Sequence, residues 1–212
     1  FDKNKNFYSK YLHKIIHIIV DDMPNTENAW DNEKHQRNCI DKGIQQLKLN
    51  DDDVIFISDV DEVPDTETIQ KIKNKRIIID DLYNLEQFMY YYNITIRNKK
   101  FWYRSKVVNY HHYCKKYNHD CDRMRLAKLR GRKNISNGGW HLSYFMNEEE
   151  IANKIKNFGH QEFNKDEYTD VEYIKHKIES GADLFGRRQR YKKIKIEEND
   201  YLPKKYKMLL NW

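Results

Sequence analysis

Residues 51–64, DDDVIFISDVDEVP, join a short apolar run to a cluster of acid. Val54, Ile55, Phe56 and Ile57 are consecutive and mostly β-branched, the composition of a strand buried on both faces. The run passes into Ser58, then Asp59 and Asp61 one residue apart, then Glu62 and Pro64. Ligands of open α/β sheets bind beyond the carboxyl ends of strands, so acid at this point is placed for chemistry. If the backbone stays extended, Asp59 and Asp61 point to one side. Paired carboxylates repel unless a cation lies between them. Their hard oxygens predict a divalent ion of the Mg²⁺ or Mn²⁺ type. An isolated Asp-x-Asp is more often a capped turn; the strand before it and the flanking Ser58, Glu62 and Pro64 favour function.

Outward from this stretch, the apolar pattern predicts a strand over 13–20 (HKIIHIIV) ending at Asp21 and Asp22, then a loop. Cys39, Ile40, Ile44 and Leu47 fall at helical spacing within 30–49. Beyond Pro64, Asp65 or Thr66 caps a helix through about 74. Strands are expected over 76–80, 84–95 and 101–110, then an irregular basic segment over 111–133. Gly138 and Gly139 open a strand over 140–146. Asn147-x-x-Glu150 and Thr169-x-x-Glu172 are capping-box patterns for two helices, one through about 158 and one stopping at Gly181. A last helix is expected over 203–210. The sum is an α/β domain with a helical tail.

The 212 residues suffice for one domain with a core. The chain is polar, with 34% charged residues and a mean hydropathy of −1.03. Its 14% aromatic content argues against disorder. A net charge of +6, spread along the chain, suits an anionic ligand without requiring nucleic acid. Cys39, Cys114 and Cys121 share no repeated spacing, so no disulfide framework is read. No apolar run approaches the roughly 18 residues of a membrane span.

The acidic motif supports two enzymatic readings. In one, the aspartates hold a metal that neutralises a departing diphosphate. In the other, an aspartate is a phosphatase-type nucleophile, which needs a second acidic pair such as Asp80 and Asp81. A third, non-catalytic reading is a carbohydrate- or polyanion-binding domain. Near Gly138 and Gly139, Trp140 could stack on a sugar and His141 could bind metal or phosphate; alone, a packed Trp and a satisfied His are commoner. Arg37 could reach a phosphate with its fork of donors. The 111–121 segment has zinc-type residues without zinc-type spacing. Tyr90, Tyr91 and Tyr92 lie in no nucleic-acid consensus.

In order along the chain, residues 14–21 (KIIHIIVD), Trp30 with Glu33 and Gln36-Arg37-Asn38, residues 52–64, and Gly139-Trp140-His141-x-Ser143 form one set. It continues through 151–158, 160–164 and Tyr173-Ile174 to Gly181. This set resembles glycosyltransferase family 17, the group that includes the transferase placing the bisecting N-acetylglucosamine on N-glycans. The resemblance implies a GT-A-like, Rossmann-type fold with a mixed central sheet and helical tail. It implies one catalytic domain over 1–212, with a donor and metal half in 1–110 and an acceptor half in 111–212.

It further implies inverting transfer of N-acetylglucosamine from UDP-GlcNAc, with Mn²⁺ or Mg²⁺, to a mannose-containing glycan or glycoprotein. Asp59 and Asp61 match the family's Asp-x-Asp, Asp61 as direct metal ligand and Asp59 as donor or ribose contact and a further member of the metal set. His141 joins them as a metal or diphosphate contact. Arg37, Asn38 and Trp140 fall to the donor. Inversion needs a base, for which Glu62, Glu149 and Glu162 compete. Family members carry a further strand-helix-strand, expected to precede Phe1 and to hold much of the uridine site. A Golgi or secretory membrane is expected where that segment carries an anchor, and a soluble cytoplasmic protein where it does not.

Overall fold

The computed structural model describes residues 1–129, 133–157, 159–188 and 190–210. Seven strands form one sheet: β1 Val54–Ile57, β2 Glu62–Pro64, β3 Tyr83–Tyr91, β4 Asn93–Asn98, β5 Lys106–Asn109, β6 Asn134–Ser143 and β7 Tyr191–Lys193. The α-helices are α1 Ala29–Asn38, α2 Ile40–Ile44, α3 Thr66–Lys73, α4 Tyr110–Tyr117, α5 Cys121–Leu126, α6 Glu148–Asn157, α7 Asp166–Thr169 and α8 Val171–Ser180. The class is mixed α/β, but the sheet is mainly antiparallel rather than Rossmann-like. β1 pairs β5, β2 pairs β6, β4 pairs β7, and β3 pairs both β4 and β5 antiparallel. Among the described residues, only β3 and β6 run parallel.

β3 is the spine. Its side chains alternate, so Tyr90 enters one core with Trp140 and Ile94 while Tyr91 enters another with Ile151, Ile155 and Ile174 of α6 and α8. β1 likewise packs on two faces. Ile55 and Ile57 meet Tyr113 and Met124 of α4 and α5, and Val54 and Phe56 lie against Ile72 of α3.

Several expected elements take other forms. Residues 15–20 form no strand: β1 takes its ladder from β5, and Ile16 and Ile19 are exposed. The segment lies instead near α2, with Ile18 facing Gly43. The helix over 30–49 breaks at Cys39 into α1 and α2. Residues 76–80 are a connection whose Ile77 and Ile79 drop into the α3 core. The strand over 84–95 is a hairpin, turned at Tyr92 with φ 68°. The basic segment contains α4, started by Asn109, and α5, started by Asp120; residues 130–132 lie outside the described residues. At the next helix, Asn147 and Glu150 form the expected reciprocal cap, and the end near Phe158 lies outside the described residues. Asp170, not Thr169, caps α8 by accepting from Tyr173 N at 2.7 Å, and Gly181 ends it at φ 70°. The last turn is a 3₁₀ helix, Tyr206–Leu209.

Gly138 and Gly139 lie within β6 rather than opening it. Gly139 has φ 120°, and a Cβ there would come within 2.1 Å of Val63 O and 2.7 Å of Asp65 N. Only glycine lets β2 approach β6 so closely. Gly139→Ala is therefore expected to destabilise the protein by about 3 kcal/mol, from overpacking plus backbone strain. Urea unfolding measures it; a loss below about 1 kcal/mol would mean that this contact does not fix the β2–β6 register.

Candidate active site

The turn between β1 and β2 carries the acidic motif. Its backbone does not stay extended: Glu62 N donates to Asp59 O at 3.0 Å, and Val60 at the tip is fully exposed. The turn sends the two aspartates to different partners. Asp59 Oδ2 accepts from Arg125 Nη2 at 2.7 Å. Asp61 lies 3.6 Å from His141 Nε2 and 3.4 Å from Lys154 Nζ of α6. Burial pushes the Asp59 carboxyl above its ordinary range, with Arg125 offsetting part of that. Burial pushes Asp61 the same way, but His141 and Lys154 outweigh it and hold Asp61 below the ordinary range.

Glu62 anchors the turn. Its side chain is fully buried, with both oxygens held by Arg125 of α5, Nη1 to Oε2 at 2.6 Å and Nη2 to Oε1 at 2.5 Å. Ser105 Oγ donates at 2.7 Å, Asp59 N at 3.1 Å, and the Trp102 indole also donates. Burial alone would raise the Glu62 carboxyl; these donors lower it below the ordinary range. A carboxylate so completely held is a brace and not a proton acceptor. This removes Glu62 from the base candidates.

Asp59 stands where two cavities meet. One, of about 350 Å³, is lined by Arg37, Gln36, Ile57 and Ser58. The other, of about 420 Å³, is lined by Asp61, His141, Lys154, His160 and Arg187, with aromatic walls from Tyr144, Phe163 and Phe185. Phe163 and Phe185 stack at 4.2 Å, and the Arg187 guanidinium lies over Phe185 at 4.9 Å.

The remaining expected residues divide. Arg37 lines the smaller cavity, but its guanidinium is committed to Glu33 and Asp122, each at 2.5 Å, so it is not an unengaged phosphate fork. Asn38 Oδ1 accepts from Asp122 N at 2.8 Å and ties α1 to α5. Trp140 faces the opposite side of β6 from His141, stacked on Tyr201 at 4.8 Å with its indole donating to Tyr201 O. It is core. Glu149 is exposed on α6. Glu162 Oε1 lies 2.6 Å from Nδ1 of His160, a residue of the larger cavity. Asp80 and Asp81 pair with Tyr83, Lys116 and Lys133 and line neither cavity, which leaves the phosphatase reading without its second pair. Donors of the 111–121 segment are spent locally, His111 on Asp51 and His119 on Asp41. Tyr90, Tyr91 and Tyr92 are buried.

Asp61 and His141 suit a hard divalent ion in part. His141 Nδ1 is buried without a partner, and the contacts to Asp61 are long. The donor atoms of Asp59, Asp61 and His141 do not all come within 4.8 Å of one another, so no three-ligand cage is preformed. Mg²⁺-type ions are commonly held by one or two carboxylates plus substrate phosphates, and half a site is what such binding requires.

Arg125, Trp102, Ser105 and Lys154 were not anticipated from the sequence. One signal was available for Arg125: a carboxylate buried after β1 needs a cation, and 111–133 is a basic segment.

The family model of glycosyltransferase family 17 matches residues 1–196. No curated protein matches the chain, and no solved structure does.

Arg125→Met should strand the Glu62 charge and cost about 3–5 kcal/mol in urea unfolding. The double variant with Glu62→Gln should recover most of that. The folded Glu62 carboxyl is depressed, so its contribution is present above pH 4.5 and lost as pH falls through the lower folded value. Arg125→Met within about 1 kcal/mol of the parent would contradict a charged brace.

Proposed function

The chain belongs to glycosyltransferase family 17, and on that premise we propose that it transfers N-acetylglucosamine from UDP-GlcNAc to a mannose-containing glycan, with inversion and with Mn²⁺ or Mg²⁺. The observation carrying this reading is Asp59 at the junction of two cavities with Asp61 inside the larger one. A donor and an acceptor must meet at one carbon, and adjoining cavities with carboxylates at their junction suit that meeting.

Asp61 and His141 would hold the metal, with Asp59 beside them toward the nucleotide. When bound, the ion would neutralise the diphosphate as it departs. Lys154, rather than the committed Arg37, is the cation best situated to add charge to the diphosphate. The aromatic walls offer apolar faces to pyranose rings, and Ser143, Asn98 and Arg187 add polar groups for sugar hydroxyls.

For the base we favour Glu162, which reaches the larger cavity through His160. His160 lowers the Glu162 carboxyl below its ordinary range and so keeps it ionised. Glu149 has no comparable tie to the cavity. Proton removal from the acceptor hydroxyl by this pair is general base catalysis, contributing about 10²–10⁴ in rate.

Asp61→Asn should reduce Mn²⁺-dependent transfer from UDP-GlcNAc by about 10²–10³, in the range of a lost transition-state electrostatic contact. Undiminished transfer would exclude the metal role. Glu162→Gln should lower kcat without changing donor affinity. In His160→Ala the Glu162 carboxyl loses what lowers it, so the acidic limb of kcat/KM should move to higher pH. An unmoved limb would assign the base elsewhere.

A further inference from the structure

Helix α1 turns a second pair of side chains away from the cavities. Glu33 and Arg37, four apart, meet Asp122 and the smaller cavity. His35 and Cys39, also four apart, lie two positions further on, about 200° around the helix. There His35 Nε2 is 3.1 Å from Asp22 Oδ1 and 3.7 Å from Cys39 Sγ, and the three donor atoms all lie within 4.8 Å of one another. We propose that Asp22, His35 and Cys39 form a zinc-type metal site, separate from Asp59 and Asp61, that fastens residues 15–28 to α1.

The contacts argue against a nucleophilic relay. A Cys-His-Asp relay uses the two ring nitrogens in opposite directions, whereas here the thiol and the carboxylate both approach Nε2. One nitrogen cannot pass a proton between them; donors gathered at one point are the arrangement that a metal ion uses. Zinc bond lengths of about 2.3 Å to sulfur and about 2.0 Å to nitrogen and oxygen give tetrahedral edges of about 3.5 Å for N–S and about 3.3 Å for N–O. The observed 3.7 Å and 3.1 Å are close to both. Imidazole, thiolate and carboxylate together suit zinc and not Mg²⁺ or Mn²⁺, and three protein ligands leave a fourth position to water.

Lys42 supplies the cation of the ion-free state. Its Nζ lies 3.0 Å from Asp22 Oδ2, the oxygen turned from His35, and its stem is half exposed. An entering ion would meet an exposed Asp22 carboxylate whose inner oxygen faces His35 and whose outer oxygen faces the half-exposed Lys42. The segment held by such a clasp, 15–28, forms no helix or strand of its own. Neither cavity at Asp59 is lined by His35 or Cys39, so the site lies apart from the acidic motif.

The test is titration of the metal-free, reduced protein with Co²⁺, followed by displacement with Zn²⁺. One equivalent should produce a thiolate-to-metal absorption band and a tetrahedral visible spectrum, both bleached by one equivalent of Zn²⁺. Cys39→Ser should abolish the thiolate band. His35→Gln, at a partly exposed position, should weaken binding by at least the roughly 10- to 100-fold that loss of an outer partner costs. Lys42→Ala removes a competing charge and should tighten binding by about three- to tenfold. Asp61→Asn should leave the band intact, so this site and the proposed catalytic one can fail independently. Absence of a thiolate band in the parent, its persistence in Cys39→Ser, or indifference to His35→Gln would each overturn the proposal.

Discussion

The Arg125 guanidinium clasped on Glu62 fixes the position of everything the site uses. Glu62 stands at the first residue of β2, yet its donors come from α5, from the turn before it and from the segment 102–105 leading into β5. One carboxylate therefore ties four parts of the chain. Burying two charges is expensive, and a well-packed apolar pair would serve stability equally well. What an apolar pair would not supply is direction. The same guanidinium also holds Asp59, so the orientation of that carboxylate is set by the brace behind it.

The sheet supplies the opposite wall. In the β2–β6 ladder Glu62 is opposite His141, and His141 stands beside Asp61 because β6 passes the turn at that register. The register depends on the close approach at Gly139, two residues earlier. Trp102 then packs over the His141 ring at 4.4 Å while donating to Glu62, which joins brace and ladder into one unit. A preorganised wall of this kind loses little on binding a charged donor, since its dipoles are already aligned.

Local chemistry was legible in the sequence and long-range pairing was not. β1, the Asp65 cap, the Asn147–Glu150 cap and the stop at Gly181 each rest on neighbours within a few residues. The reading failed where partners from afar decide. Residues 13–20 and 76–80 both have a strand's composition, yet neither has a ladder partner among the described residues, and 76–80 serve as a connection. Tyr92 bends a run of strand formers into a hairpin, against its own propensity, because Tyr91 and Tyr92 are needed in the α6–α8 core. Trp140 shows the same limit: a Trp beside two glycines reads as a sugar platform, yet the alternation of β6 assigns it to the face opposite His141.

Helix α1 links these two levels. Its i, i+4 pairs commit Arg37 to Glu33 and Asp122 on one side and set His35 against Cys39 on the other. The first side closes the smaller cavity next to Asp59, and the second holds the extended segment through Asp22. A guanidinium with two carboxylate partners contributes no net positive charge to a diphosphate. Through Asp122, Arg37 ties α1 to α5, the helix that carries Arg125. Of the charges facing the larger cavity, Lys154 and Asp61 meet at a long 3.4 Å, whereas Arg187 is itself partly exposed but held at 2.9 Å by the buried Asp183.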